Sequence, residues 1–252
     1  FNSDTLDALN VTDLESLSYS SPNVTLADVS TSKGTANFAI RGLGINSSIP
    51  SIDPTVGVFV DGVYLGINNG VVLDLFDLDS VEILRGPQGI LFGRNTTGGA
   101  VLINTGNPTD EFHWKARAAV EGPVDGDRGG PSSTIQGTVS GPIVEGTLNG
   151  KLGIYYKTDA GYFKNLANGD NLGEEQTSIV RAALEWTPQD HISILGMLEQ
   201  LDTRADGPGG QNRGVYDRDS FDIAIDNPGL YDGEALTASI RTDIDVDFGN
   251  GR

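Results

Sequence analysis

The chain has 252 residues, a formal charge of −19 and no cysteine, which argues against a basic nucleic-acid reader and removes any disulfide framework, thiolate metal site or cysteine nucleophile. Its 34 glycines beside one methionine favour strands and turns over long helices, and 37% hydrophobic residues suffice for a core. No apolar run approaches the roughly 20 residues of a membrane-spanning helix, so the chain is either soluble or crosses a membrane with strands.

Residues 1–20, "FNSDTLDALNVTDLESLSYS", space Leu6, Leu9, Leu14 and Leu17 at near-helical intervals. They predict two short helices or turns, with Ser3 or Asp4 and Thr12 as N-caps. In "NFAIRGLG", residues 37–44, a strand runs until Gly42 and Gly44, and a loop rich in Ser, Asn and Pro follows to Pro54. "VGVFVDGVYLG", residues 56–66, sets Asp61-Gly62 between two alternating apolar runs, the signature of a tight hairpin through a type I′ turn. After the loop "GINNG", the stretch "DLFDLDSVEILRG" predicts one short helical turn and then a strand at 80–85. "VEILRGPQGILFGRNTTGGAVLINT", residues 81–105, carries five glycines and two arginines and closes with a strand at 100–105. No Lys-Ser or Lys-Thr follows a glycine there and no G-x-G-x-x-G opens a helix, so a phosphate loop is a poor reading. The glycines read instead as tight turns where backbone passes close to backbone.

The texture changes near residue 110, which predicts two domains, 1–109 and 110–252. Six strands are expected at 113–121, 134–142, 147–158, 177–187, 191–201 and 237–248. Their connections, 122–133, 143–146, 159–176, 188–190 and 202–236, alternate long and short, as in a transmembrane β-barrel with short turns on one side and longer loops on the other. Side-chain alternation agrees. Trp114, Ala116, Ala118 and Val120 oppose His113, Lys115, Arg117 and Glu121; Leu152, Ile154 and Tyr156 oppose Lys151, Tyr155 and Lys157; Val180, Ala182, Leu184 and Trp186 oppose Arg181 and Glu185. One face of each strand could meet lipid and the other water, with both tryptophans near strand ends where aromatic girdles sit.

Candidate chemistry is sparse. Asp243, Asp245 and Asp247 with Gly249 evoke a calcium loop, but Phe248 stands where the EF-hand needs glycine, and a wet lumen-facing strand explains them better. His113 and His191 open strands without partners at metal-site spacing, and no nucleophile, base and acid assemble, so no enzyme, metal site or cofactor is expected. The connection 202–236 holds seven Asp, one Glu and three Arg with Tyr216, Phe221 and Tyr231 among them, and reads equally as a ligand-contacting loop or a solvated one.

"NFAIRGLG", "VGVFVDGVYLG" and "DSVEILRGPQGILFGRNTTGGAVLINT", in this order and spacing, resemble the plug domain of TonB-dependent outer-membrane receptors over residues 5–105. More weakly, 110–252 resembles the start of that family's barrel of about 22 strands. The fold implied is mainly β with a small α+β part: a plug built on a four-stranded mixed sheet with short helices, then about six antiparallel strands of an incomplete transmembrane barrel. Six strands cannot close such a wall, and neither a signal peptide nor a TonB box is recognisable here, so the resemblance implies a stretch of a larger receptor.

The implied function is TonB-dependent import of a scarce solute across the bacterial outer membrane, with the plug as gate. A ferric siderophore or similar metal chelate is the first choice; cobalamin, haem, a saccharide or a small aromatic compound is the alternative. The implied partners are TonB with ExbB and ExbD at the periplasmic side, an extracellular ligand and outer-membrane lipid, and no nucleic acid. Arg41, Arg85 and Arg94 are the expected plug anchors, because a buried guanidinium needs carboxylate partners that a lumen wall can supply; pairing within the plug is the alternative. Expected ligand contacts are Asn46 and Ser47, Asn68 and Asn69 at the plug apex, and Tyr216 and Arg218 in the outer loop. A secreted acidic β-rich binding module without transport is the competing reading.

Overall fold

The computed structural model describes residues 1–9, 11, 13–29, 32–44, 53–66, 76–122, 129–207, 209–220 and 222–246, with the backbone alone described at 28, 29, 32–36 and 218. Two short helices open the chain, α1 (Ser3–Ala8) and α2 (Leu14–Tyr19). Their caps differ from expectation. Asn2 caps α1, its side chain accepting from Thr5 N at 2.9 Å, and Asp13 caps α2 in a reciprocal box with Ser16. An extended residue whose side chain reaches an orphan N–H makes the better cap, and Asn2 and Asp13 have that backbone whereas Ser3 and Asp4 are already helical. Thr12 lies outside the described residues.

Strand β1 (Val24–Val29) was not legible as a strand, because only Val24 and Leu26 mark its inward face. It pairs antiparallel with β2 (Ser32–Ile40), which starts ahead of the expected 37, and β3 (Leu43–Gly44) completes a three-stranded sheet. The expected hairpin joins β4 (Val56–Val60) to β5 (Val63–Tyr64). Asp61 at φ 49 and Gly62 at φ 82 supply the positive φ values its turn needs. The Asp61 carboxylate also accepts from Thr105 N at 2.8 Å and Thr105 Oγ1 at 2.9 Å, fastening the turn to a neighbouring strand.

β6 (Leu78–Arg85), α3 (Gly89–Phe92) and β7 (Gly99–Thr105) follow. The second sheet runs β5-β4-β7-β6, with β4 and β7 parallel, so the four-stranded mixed sheet is as expected. The helical turn expected ahead of β6 does not form among the described residues, where Asp77 instead takes φ 53. Helices and both sheets share one core in which Leu14, Leu17, Leu26, Ile40, Val81 and Val101 are fully buried.

A long-stranded sheet, here termed the wall, contains β8 (His113–Glu121), β9 (Ser132–Val144), β10 (Leu148–Asn165), β11 (Asn171–Gln189), β12 (Ile192–Ala205), β13 (Asp222–Ile223) and β14 (Tyr231–Ile244). Its order is β14-β12-β11-β10-β9-β8, an antiparallel meander, with β13 joined to β10 in parallel. The six expected strands are present; β8 keeps the expected bounds, β9 and β12 run a few residues longer, and three differ more. β10 and β11 continue through the predicted loop 159–176 and leave only 166–170 between them. Their upper halves carry polar residues on both faces, as water on both sides permits, so no alternation betrayed them. β14 starts at Tyr231 and ends at Ile244, earlier than expected at both ends.

The wall is inverted relative to a soluble sheet. Leu152, Ile154, Tyr156, Val180, Leu184 and Leu198 are about half exposed on the outer face, while Tyr155 and Arg181 on the inner face are 5% and 7% exposed. An apolar outside and a charged inside suit a sheet bathed by lipid. Among the described residues no helix is long and apolar enough to cross a membrane.

Candidate functional site

Register builds three rows across the inner face of the wall. His113, Ser140, Lys151, Ala183 and Met197 lie side by side on β8 to β12; the next row is Lys115, Thr138, Gly153, Arg181 and Glu199; the third is Arg117, Gln136, Tyr155, Ile179 and Leu201. Period-two alternation sends all of them toward the N-terminal part of the chain.

Phe76 and Asp77, just ahead of β6, seat on these rows. Phe76 is 2% exposed and clusters with Tyr155, Ile179 and Leu201, its ring 5.7 Å from that of Tyr155. Gly153 makes the space, since a Cβ there would meet Phe76 Cζ at 2.7 Å. The Arg181 guanidinium lies 5.4 Å over the Phe76 ring and donates to the Phe76 carbonyl at 3.1 Å and the Asp77 carbonyl at 3.4 Å. Its other nitrogens reach Glu199 Oε2 at 2.6 and 2.5 Å.

Asp77 Oδ1 meets Lys151 Nζ at 2.5 Å, and that ammonium also donates to Gly106 O at 2.9 Å. Among the described residues Asp77 Oδ2 accepts no hydrogen bond and faces the Arg181 charge, 3.8 Å away. Burial pushes the Asp77 carboxyl above its ordinary value, and the nearby charges of Lys151, Arg181 and Lys115 offset only part of that rise. Two cations and two carboxylates, all about 14% exposed or less, thus close a neutral set across the contact.

A second contact lies at α1, where Asp7 Oδ2 meets Lys115 Nζ at 2.5 Å with both side chains about half exposed. Between the two contacts lies a cavity of about 470 Å³, walled by Leu6 and Val11 on one side and by Arg117 and Thr138 on the other, and reaching Asp77 and Lys151.

The expected site residues fall elsewhere. Arg41, at φ 54 in the β2–β3 turn, places its guanidinium beside Gly86, the residue after exposed Arg85. Arg94 meets Asp53 at 3.7 Å near the surface. Asn46, Ser47, Asn68 and Asn69 lie outside the described residues, as does Phe221. Tyr216 is half-buried in the connection 206–230, and the backbone of Arg218 opens a 3-10 turn, Arg218–Ser220. That connection is tied down. Asn165, 1% exposed, donates to Ile225 O at 3.0 Å and accepts from Ile225 N at 3.2 Å, while Gln211 Nε2 donates to the carbonyls of Asp217 and Asp222.

Phe76, Asp77 and Glu199 were missed from sequence, and Lys151 and Arg181 were read only as polar-face residues. A usable signal existed: a lone arginine between Ile179 and Ala183 on one strand face demands a carboxylate. Among the described residues no three His, Asp or Glu gather as metal ligands. The arrangement can hold one body against another.

Residues 1–100 match the TonB-dependent receptor plug domain. The chain thus carries a TonB-dependent receptor plug domain over residues 1–100. Among curated relatives, the pesticin receptor of Yersinia pestis is 34% identical over 154 residues, covering 61% of this chain and 22% of that protein. A probable TonB-dependent siderophore receptor, PirA of Acinetobacter baumannii, is 36% identical over 84 residues, covering 33% and 11%. The ferric yersiniabactin uptake receptor FyuA from Yersinia pestis superposes with a TM-score of 0.82 at 24% identity, covering 98% of this chain and 38% of FyuA. The chain therefore spans about a fifth of the pesticin receptor's length. By that likeness of fold the N-terminal sheets correspond to a plug and the wall to the first stretch of a barrel, with Phe76 and Asp77 where the one seats on the other.

Proposed function

We propose that the full-length receptor imports a ferric siderophore or similar metal chelate across the outer membrane, with the plug as gate and no catalytic step. TonB, working with ExbB and ExbD, would supply the pull from the periplasmic side. The observation that carries this reading is the plug seated by Phe76 and Asp77 on the charged inner face of a wall whose outer face is apolar. A secreted binding module would present the opposite polarity. The relatives, a pesticin receptor, a probable siderophore receptor and a ferric yersiniabactin uptake receptor, favour iron chelates over the alternative solutes.

Within that reading, residues 1–109 form the plug and 110–252 the first part of the barrel. Arg41, Arg85 and Arg94 would anchor the plug by meeting carboxylates of later strands. Asn46, Ser47, Asn68, Asn69, Tyr216 and Arg218 would contact ligand from the plug apex and outer loop. The test is uptake of radioactive iron, offered as chelates extracted from the iron-starved culture's own medium, in cells with and without the full-length receptor. Uptake should vanish on deletion and on adding a protonophore. Iron accumulation unchanged by deletion would sink the reading, and an Arg85→Ala receptor with normal uptake and plug retention would remove the gating role of that residue.

A further inference from the structure

We propose that α3 is a second apolar seat of the plug: Ile90 and Leu91 enter a notch of small residues on the inner face of barrel strands that follow residue 252 in the full-length receptor. The proposal rests on the plug-and-barrel part of the reading above, not on import, and it names the kind of surface those strands present.

α3 joins the ends of β6 and β7 that lie away from the Phe76 contact. β6 starts beside Phe76 and Asp77 and runs to Arg85, and β7 returns from Gly99 to Thr105, whose Oγ1 lies 3.7 Å from Met197 Sδ of the wall. Strands of this length put the α3 turn about 20 Å from those wall contacts. The turn is firmly built. The Phe92 ring lies 4.9 Å from that of Phe59 on β4, and Gln88 N donates to Thr96 O at 2.9 Å. Thr96, 1% exposed, donates its Oγ1 to Gly93 O at 2.8 Å, and Asn95 Nδ2 donates to the Tyr64 hydroxyl at 2.9 Å. Gly93 at φ 76 and Asn95 at φ 70 supply the left-handed backbone that so tight a path needs. This braced turn nevertheless holds Ile90 at 101% exposure and Leu91 at 79%. One exposed leucine means little; two adjacent aliphatic side chains held outward by a rigid turn make a knob.

Position, length and charge say what covers it. The plug lies on the inner face of the wall, so lipid, which meets the outer face, is not the partner. This chain covers 38% of FyuA, and six strands leave the remaining wall to be supplied by later sequence. Charge agrees: in a chain of net charge −19, residues 83–109 hold Arg85 and Arg94 and no carboxylate, and Arg94 shares Asp53 at 3.7 Å with both side chains exposed. A basic partner is thereby disfavoured. Side chains on a strand stand perpendicular to it, so an aliphatic pair reaches the backbone of a barrel strand only where glycine or alanine leaves a gap. Gly153 leaves such a gap for Phe76 at the contact already described.

The experiment uses the full-length receptor in cell envelopes, with the photo-crosslinker p-benzoylphenylalanine in place of Ile90 and linked peptides mapped by mass spectrometry. Links should fall within the same polypeptide, beyond residue 252, next to a glycine or alanine. The same probe in place of Phe76 is the reference and should link to β10, β11 or β12. In the purified receptor, Ile90→Asp with Leu91→Asp should lower the urea concentration at which the plug becomes protease-sensitive by at least as much as Phe76→Ala does. Ile90→Leu with Leu91→Ile should leave that concentration unmoved. A probe at position 90 that links to another protein, to lipid, to residues 1–252, or to nothing while the reference links, would overturn the proposal, as would an aspartate variant with an unmoved urea midpoint. If the aspartate pair prevents assembly, the crosslink decides alone. Neither assay reads uptake, so failure of iron import leaves both readouts standing and the two ideas fail separately.

Discussion

The plug meets this stretch of barrel through two aspartate–lysine pairs of the same length, 2.5 Å, and they differ in what surrounds them. Asp77 and Lys151 are about 10% exposed, share Arg181 and Glu199, and adjoin a phenylalanine seated over a glycine. Asp7 and Lys115 are 54% and 55% exposed and stand at the rim of a cavity. Distance alone would rank them equal. Solvation ranks them far apart: breaking a buried pair strands a charge in low dielectric, whereas the exposed partners are simply rehydrated.

Removing Arg181 gives the largest expected effect. Arg181→Ala leaves Asp77 and Glu199 buried without their shared cation, and should cost about 3–5 kcal/mol of plug docking. The measure is the urea concentration at which the plug of the full-length receptor becomes protease-sensitive. A loss no greater than that of an exposed pair would erase the distinction between the two contacts. Next, Phe76→Ala empties the space above Gly153 and should cost about 3 kcal/mol in the same assay.

The distinction was only half legible in sequence. Asp61-Gly62 announced its hairpin because a turn with two positive φ values accepts few residue pairs. The wall strands announced themselves through alternation wherever one face meets lipid, and fell silent above it, as β10 and β11 show beyond residue 158. The anchor was not announced. Phe76-Asp77 sits between helix-like and strand-like residues, and its partners lie far along the chain, at Lys151, Arg181 and Glu199. Sequence pattern reports which face a residue takes; which residues from another body touch that face is set by how the plug seats. For the same reason Arg41, Arg85 and Arg94 stood out from their glycine-rich blocks, while the contacts present in this stretch of wall belong mainly to aspartates.

Breaking the exposed pair should do little to docking. Asp7→Ala and Lys115→Ala, singly and together, should cost about 0.2–1 kcal/mol, and the coupling between them in a double-mutant cycle should shrink as salt is raised. A coupling above about 2 kcal/mol that survives high salt would place this contact in the same class as the anchor.

The smallest effect concerns acid. Asp77 is faced by Lys151 from β10, Arg181 from β11 and Lys115 from β8, with Glu199 of β12 across Arg181, yet its carboxyl is raised above the ordinary 3.8 because burial outweighs those cations. A group whose value is raised on docking binds its proton more tightly in the docked state. Its contribution to docking is complete below 3.8 and is lost as pH climbs through the raised value. Mild acidification from neutral pH should therefore raise the urea midpoint of plug release, and it should shrink the Arg181→Ala deficit, since a protonated Asp77 no longer needs the missing cation. Asp77→Asn should remove this acid dependence while retaining the shape of the side chain. A midpoint that instead falls on mild acidification in the wild type would show that the ion pairs outweigh burial at the anchor, and that the two contacts differ in strength but not in kind.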